Sequence, residues 1–190
     1  MLFGSFSLIF TIYPSDDHKN NNVLKAVISI KRCKKLSNKV IHPSTRVADL
    51  LGLLLVLKNE FDGKTDLFEL EERLEVDLDD FMPIVYMANE LGFVTIGVGD
   101  IIITDKGIEF LESNFKKRKE IIKESLDRIE PFKTAKELKE FTIESLNKAL
   151  LKKGIADFNS SDGKHKLELI LNEWGVYSGF LTTNSKYKVA

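Results

Sequence analysis

The chain has 190 residues, 43% of them hydrophobic and 30% charged, with a formal net charge of −1, the balance of a globular protein with enough apolar matter for one ordinary core or two small ones. Its single cysteine, Cys33, excludes an internal disulfide, and three scattered histidines with no second cysteine exclude a zinc-binding spacing. The charge is unevenly placed: residues 1–42 carry 7 Lys/Arg against 2 Asp/Glu, residues 43–112 carry 5 against 16, residues 113–130 carry 6 against 4, and residues 131–190 carry 10 against 7.

Residues 1–42 read as a leader with two apolar runs, 2–13 and 23–30, around the polar spacer 16–22. The reading stays open between a hairpin and a disordered basic segment. No Lys or Arg precedes the first run, which argues against a secretory signal. Neither run reaches the ~20 apolar residues needed to cross a bilayer.

The first predicted helix begins at Ser44 or Thr45, either of which can cap its open amides, with Pro43 fixing the entry. Val47, Leu50, Leu51, Leu54 and Leu57 share one face, while Leu53, Leu55 and Val56 cover the others, so this helix is expected to be buried all round. Asp62-Gly63-Lys64-Thr65 reads as a turn. Asp66 with Glu69 resembles a capping box for a second helix with Leu67, Leu70 and Leu74 inward. A third helix is predicted from 77 or 79 to 91, closed by Gly92, with Leu78, Phe81, Ile84, Val85, Ala88 and Leu91 in the core. Pro83 is tolerable there only if the helix starts near Asp79.

Two β-prone runs, 93–96 and 101–104, around Gly97-Val98-Gly99-Asp100 predict a hairpin that would serve as a wing. Ile108, Leu111, Phe115, Ile122, Leu126 and Ile129 keep helical spacing up to Pro131, predicting one long connecting helix over 107–130. The second half repeats the plan: Thr134 with Glu137 as a capping box, an apolar face of Leu146, Leu150 and Leu151, Gly154 as a stop, and a helix over 163–174 carrying Leu167, Leu169, Ile170 and Leu171. Gly175 is expected to turn the chain into a last hairpin, 176–181 and 186–189. Leu50, Leu54, Leu70, Phe81, Val85, Leu91 and Leu111 are expected in one core, and Leu146, Leu150, Ile170 and Trp174 in another. The fold class is mainly α with small β-hairpins (α+β): a module over 43–112, a connecting helix over 113–130 and a module over 131–190, in tandem and winged-helix-like.

Ile41-His42-Pro43-Ser44-Thr45-Arg46-Val47-Ala48-Asp49-Leu50-Leu51-Gly52-Leu53 resembles the opening of the AAA-associated C-terminal domain, an accessory domain of nitrate, sulfonate and bicarbonate-type ABC transporter ATPase subunits. The likeness continues at Asp66-Leu67-Phe68-Glu69-Leu70, Leu78-Asp79-Asp80-Phe81-Met82-Pro83-Ile84-Val85, Glu90-Leu91-Gly92-Phe93, Gly99-Asp100-Ile101, Thr104-Asp105-Lys106-Gly107 and Glu173-Trp174-Gly175-Val176-Tyr177-Ser178-Gly179-Phe180, and spans residues 41–190. It is poor over 155–162. The resemblance implies ATPase and permease components as partners, with Arg46, Asp79 and Asp80 as candidate contacts, and a cytoplasmic place, peripheral to the membrane through a transporter.

The ATPase core that usually precedes this domain is missing from the sequence. A phosphate-cradling loop needs Gly-x4-Gly-Lys-Ser/Thr. The nearest approach, Asp162-Gly163-Lys164-His165, lacks both the upstream glycine and the hydroxyl. No nucleophile–histidine grouping is supported, so no catalytic residue, cofactor or metal is assigned. The acidic set around Glu69 to Asp80 lacks a calcium-loop spacing and reads as a solvated or partner-facing surface. Trp174, Tyr177 and His42 read as packing and helix-entry residues rather than ligand contacts.

The alternative reading is a winged-helix transcriptional regulator. It meets an obstacle in the third helix, where residues 77–92 hold four acids and no Lys or Arg, so phosphate repulsion dominates. Lys164 and Lys166 in the second half are its candidate phosphate contacts. A homodimer through Ile121, Ile122 and Leu126 competes with a fold in which the second half covers the same residues.

Overall fold

The computed structural model describes residues 40–97, 99–183 and 186–190. The leader readings over 1–39, the residues Val98, Asn184 and Ser185 of the predicted turns, and the side chain of Leu78 lie outside the described residues. Helix α1 (Val47–Phe61) is followed by strand β1 (Lys64–Asp66), helices α2 (Leu67–Leu74) and α3 (Leu78–Glu90), and strands β2 (Val94–Ile96) and β3 (Asp100–Ile103). After α4 (Asp105–Glu112) and α5 (Phe115–Leu126) come α6 (Phe132–Leu138), β4 (Glu140–Phe141), α7 (Ile143–Lys152) and α8 (Gly163–Ile170). Helix α8 runs into a π-turn (Leu171–Val176), then strands β5 (Leu181–Thr183) and β6 (Tyr187–Val189). The class is α+β.

Both halves use one plan, helix–strand–helix–helix–hairpin. Each makes a three-stranded antiparallel sheet in which the last strand lies in the middle, β1-β3-β2 and β4-β6-β5. The edge strands β1 and β4 correct the sequence reading. Lys64 and Thr65, read as a turn, pair with Ile102 and Ile101, and Glu140–Phe141 pairs with Lys188 and Tyr187. A strand of two or three residues between helices is too short to show an alternating pattern.

Helix α1 is capped one or two residues later than expected. Arg46 is the N-cap, its amide donating to the Asp49 carboxylate at 3.1 Å, while the Thr45 hydroxyl is spent on the His42 carbonyl. Val47, Leu50, Leu53, Leu54 and Leu57 are buried, but Leu55 is 41% exposed and Leu51 and Val56 are only half-buried, so the helix is not buried all round. Asp66 does cap α2, accepting from the Phe68 amide, but Glu69 reaches the Thr65 hydroxyl instead of closing a box. Helix α3 begins at Leu78 with Asp77 as its cap. Pro83 therefore sits well inside it and removes the bond that would have reached the Asp79 carbonyl. Gly92, at φ +83°, closes α3 in the left-handed conformation as expected.

The long connecting helix is two helices. Ser113 is extended, and the Asn114 side chain accepts from the Lys117 amide to cap α5. The four-residue step from Leu111 to Phe115 preserved apparent spacing across the break, and Phe115 proves 63% exposed. In the second half Thr134 lies inside α6 and donates its amide to the Glu130 carboxylate, while Thr142 and Ser145 form the capping pair of α7. Leu151 and Leu169 are exposed rather than inward. Gly175 sits in the π-turn, where a Cβ would stand 2.6 Å from Leu181 Cδ1 and 2.7 Å from Phe132 Cε1. Close packing, not turning, requires glycine there; the chain turns at Gly179, at φ +72°.

All the residues assigned to two cores are buried, but they belong to one continuous apolar cluster. The joint lies at the chain's opening. Ile41 is buried and donates to the Glu130 carbonyl at 3.0 Å, the Trp174 indole N–H donates to the Thr45 carbonyl at 3.1 Å, and the Glu173 carboxylate accepts from the Val47 amide at 3.1 Å. Ile121, Ile122 and Leu126 are buried in the same cluster, so the dimer face proposed through them is not at the surface.

Truncating a packed core residue costs its transfer energy plus a cavity. Leu54→Ala is expected to cost about 2–5 kcal/mol and Trp174→Ala about 3–5 kcal/mol, whereas Lys117→Ala, whose Glu109 pair at 3.7 Å is solvent-exposed, should stay within about 0.5 kcal/mol. Urea unfolding of the three variants checks this; equal midpoints would refute the core assignment.

Candidate functional site

A groove of about 300 Å³ lies between the first half of α1, the loop after α2, and α3. Its floor is apolar: Leu53 from α1, Leu74 from α2, and Phe81, Pro83 and Ile84 from α3. Val76, on the loop, stands at the edge and is 40% exposed. Asp49 and Asp80 supply carboxylates, and Ser44 and Thr45 close the end nearest the start of α1.

Gly52 keeps this groove open. It is exposed on α1, and a Cβ built on it meets no atom within 4 Å. Glycine inside a helix costs about 0.5–1 kcal/mol relative to alanine, so this position gives up stability and leaves free volume above Leu53. The outward line of α1 is then Ala48, Gly52 and Leu55, all exposed, flanked by acid rather than by lysine.

Of the predicted partner contacts, Asp80 lines the groove, Asp79 is exposed beside it, and Arg46 is exposed at the N-cap of α1, one turn before Asp49. Of the three, Asp80 alone lines the groove. Asp77 caps α3 by accepting from the Asp79 amide at 2.9 Å, and Asp79 and Asp80 occupy its first turn, where negative charge complements the helix dipole. Part of this acidity is thus structural. The ion pairs of the same half go elsewhere: Lys58 with Glu112, Lys64 with Asp100 and Arg73 with Glu60. Among the described residues no lysine or arginine pairs with Asp49, Asp77, Asp79 or Asp80. The groove is therefore an apolar trough under uncompensated negative charge, chemistry suited to holding an apolar segment with cationic flanks.

The candidate phosphate contacts are differently placed. Lys164 pairs with Glu144 at 3.1 Å and Lys166 with Asp162 at 2.7 Å. The Asp162 carboxyl is held down at about 2 by its hydrogen bonds from Lys166, from the Ser160 hydroxyl and from its own backbone. Lys166 also acts on His42. Burial, and then the charge of Lys166, lower the pKa of that imidazole, and its Nδ1 faces the Ser44 hydroxyl at 2.7 Å and amide at 3.3 Å. Trp174 is fully buried and serves packing, as does Tyr177, edge-on to Phe115 with the Lys119 ammonium over both rings.

Among the described residues no group of three or more His, Cys, Asp or Glu is placed to hold a metal ion, and no helix is long and apolar enough to cross a membrane. The model of the family described as the C-terminal AAA-associated domain matches residues 68–184. The chain belongs to that family. The match runs from the start of α2 to the end of β5, so this C-terminal AAA-associated domain includes one wall of the groove, α3, while α1 with Gly52 and the Ile41-to-Leu53 opening precede the matched span. No curated protein and no solved structure matches the chain.

Sequence reasoning named Asp79, Asp80 and Arg46 as candidate partner contacts but did not show the groove. Gly52, the one non-apolar break in Leu50-Leu51-Gly52-Leu53-Leu54, was its available sign. Gly52→Ala should raise stability by about 0.5–1 kcal/mol, read as an increased melting temperature; an unchanged or lowered one would mean the position has no free volume.

A pH effect follows from His42. Its folded pKa is depressed, so the neutral ring is favoured by folding, and the stability it contributes is present above the ordinary histidine value of about 6.5 and is lost as pH falls through the lower folded value. Between pH 7.5 and pH 5 the wild-type chain should lose more melting temperature than His42→Gln does; parallel losses would dismiss this role.

Proposed function

We propose that this chain is a non-catalytic regulatory and protein-interaction module that works with an ABC-type transporter ATPase of the nitrate, sulfonate or bicarbonate class. The observation that carries the reading is membership of the C-terminal AAA-associated domain family over residues 68–184, in a sequence without a phosphate-cradling loop. The two helix–strand–helix–helix–hairpin halves act as tandem winged-helix-like modules. In this reading the chain works on the cytoplasmic side, peripheral to the membrane, held there by the ATPase or permease components.

The acidic side of the first half is the contact surface, with Arg46, Asp79 and Asp80 facing the partner. Support comes from the lack of compensating cations around these aspartates and from their exposure on the first turn of α3. Complementary charge of this kind steers encounter and selects partners more than it adds raw affinity. The transcriptional-regulator reading has less support, because Lys164 and Lys166 each face a carboxylate and α3 has no Lys or Arg.

Coexpression with the ATPase and permease subunits from the same source, followed by pull-down, tests the proposal. An ATPase component should be retained by the wild-type chain and about tenfold less by Asp79→Lys/Asp80→Lys, a loss of about 1.4 kcal/mol. Failure of the wild-type chain to retain any component would sink the partner assignment. A low-salt electrophoretic assay should show no duplex shift; a shift that weakens steeply with salt would favour the regulator instead.

A further inference from the structure

We infer that the α1/α3 groove is a docking site for the chain's own segment 23–39, bound in cis. The groove asks for an apolar stretch with cationic flanks: its floor is Leu53, Leu74, Phe81, Pro83 and Ile84, and its edge carries Asp49 and Asp80 with Asp77 and Asp79 beside them. Segment 23–39, Val-Leu-Lys-Ala-Val-Ile-Ser-Ile-Lys-Arg-Cys-Lys-Lys-Leu-Ser-Asn-Lys, has that chemistry. It holds six Lys/Arg and no Asp/Glu, with its apolar residues concentrated over 23–30 and four of its cations over 31–35.

Connection favours this occupant over a free one. The segment joins the folded body at Val40, and Ser44 and Thr45 close one end of the groove. The nine residues 31–39 between the apolar run and Val40 reach about 30 Å when extended. A tethered ligand on such a linker competes at an effective concentration in the millimolar range, which a separate basic peptide or a second copy at ordinary concentration does not approach. The two charge anomalies of the sequence, +5 over residues 1–42 and −11 over residues 43–112, then neutralise one another locally. Val76, 40% exposed at the edge of the groove, loses its contact with water under the apolar half of the segment.

The consequence is a self-occupied surface. A partner that uses the same groove has to displace the segment, so its apparent affinity is lowered by the fraction of chains in the docked state. The inference does not need the transporter assignment, since it concerns one chain alone.

Cys33, the single cysteine of the sequence, gives a direct test on the full chain. A nitroxide attached to Cys33 should broaden the backbone amide resonances of Leu53, Val76 and Phe81 so that they lose most of their intensity, while those of Lys148 and Lys152 in α7 keep theirs. The broadening should be relieved by high salt and by Asp79→Lys/Asp80→Lys, exposed positions at which folding can be verified from the remaining spectrum. Undisturbed groove resonances in the wild-type chain would overturn the inference. So would broadening of equal strength when the nitroxide is carried on a second, isotopically silent chain, which would indicate docking between copies, or loss of intensity spread evenly over both halves, which would indicate unspecific contact. Failure of the pull-down above leaves these outcomes untouched.

Discussion

The fold depends on one long-range capping arrangement: the first turn of α1 is completed by residues from the far end of the chain. Trp174 donates its indole N–H to the Thr45 carbonyl and Glu173 accepts from the Val47 amide. A helix N-terminus leaves amides without partners, and here the usual local caps, Ser44 and Thr45, are committed to His42. Glu173 supplies one such partner from the π-turn, and the Trp174 bond beside it ties the two halves into one folding unit. It also explains why Trp174 sits with no exposed surface although its polar N–H must be satisfied.

Much of the fold was legible because its helices follow the apolar period closely. Leu50, Leu54, Phe81, Val85, Leu146 and Ile170 are all buried where their spacing put them, and Gly92 and Gly154 both take the positive φ of a helix stop. What escaped was decided by tertiary contacts or by very short elements. Strands β1 and β4 exist because β3 and β6 offer them a ladder, not because their own residues demand it. The α4–α5 break is written in Asn114, but the spacing of Leu111 and Phe115 imitates an unbroken face. Gly175 looked like a turn because glycine's commonest use is conformational; its use here is steric, set by Leu181 and Phe132 from elsewhere in the chain.

The candidate surface was half visible. Charge counting alone showed the acidic first half, and Asp79 and Asp80 are exposed there. The trough beside them requires α1 and α3 to cross with Gly52 toward the opening, a juxtaposition that no periodicity encodes. Family membership and geometry thus speak to different parts of the molecule. The matched span covers α3 and the second half as far as β5, whereas the other wall of the groove precedes it.

The link between Thr45 and Trp174 also bears on how the protein is made. Its two ends are separated by 129 positions, a span whose closure is entropically costly and slow compared with the local contacts of either half. During synthesis the chain emerges from its N-terminus at roughly 5–20 residues per second, so α1 leaves the ribosome several seconds before the groups that cap it. For that interval the nascent first half carries an incomplete helix start and uncovered leucines. Its helix start is completed only once the π-turn has been translated, so the first element made is among the last to be finished.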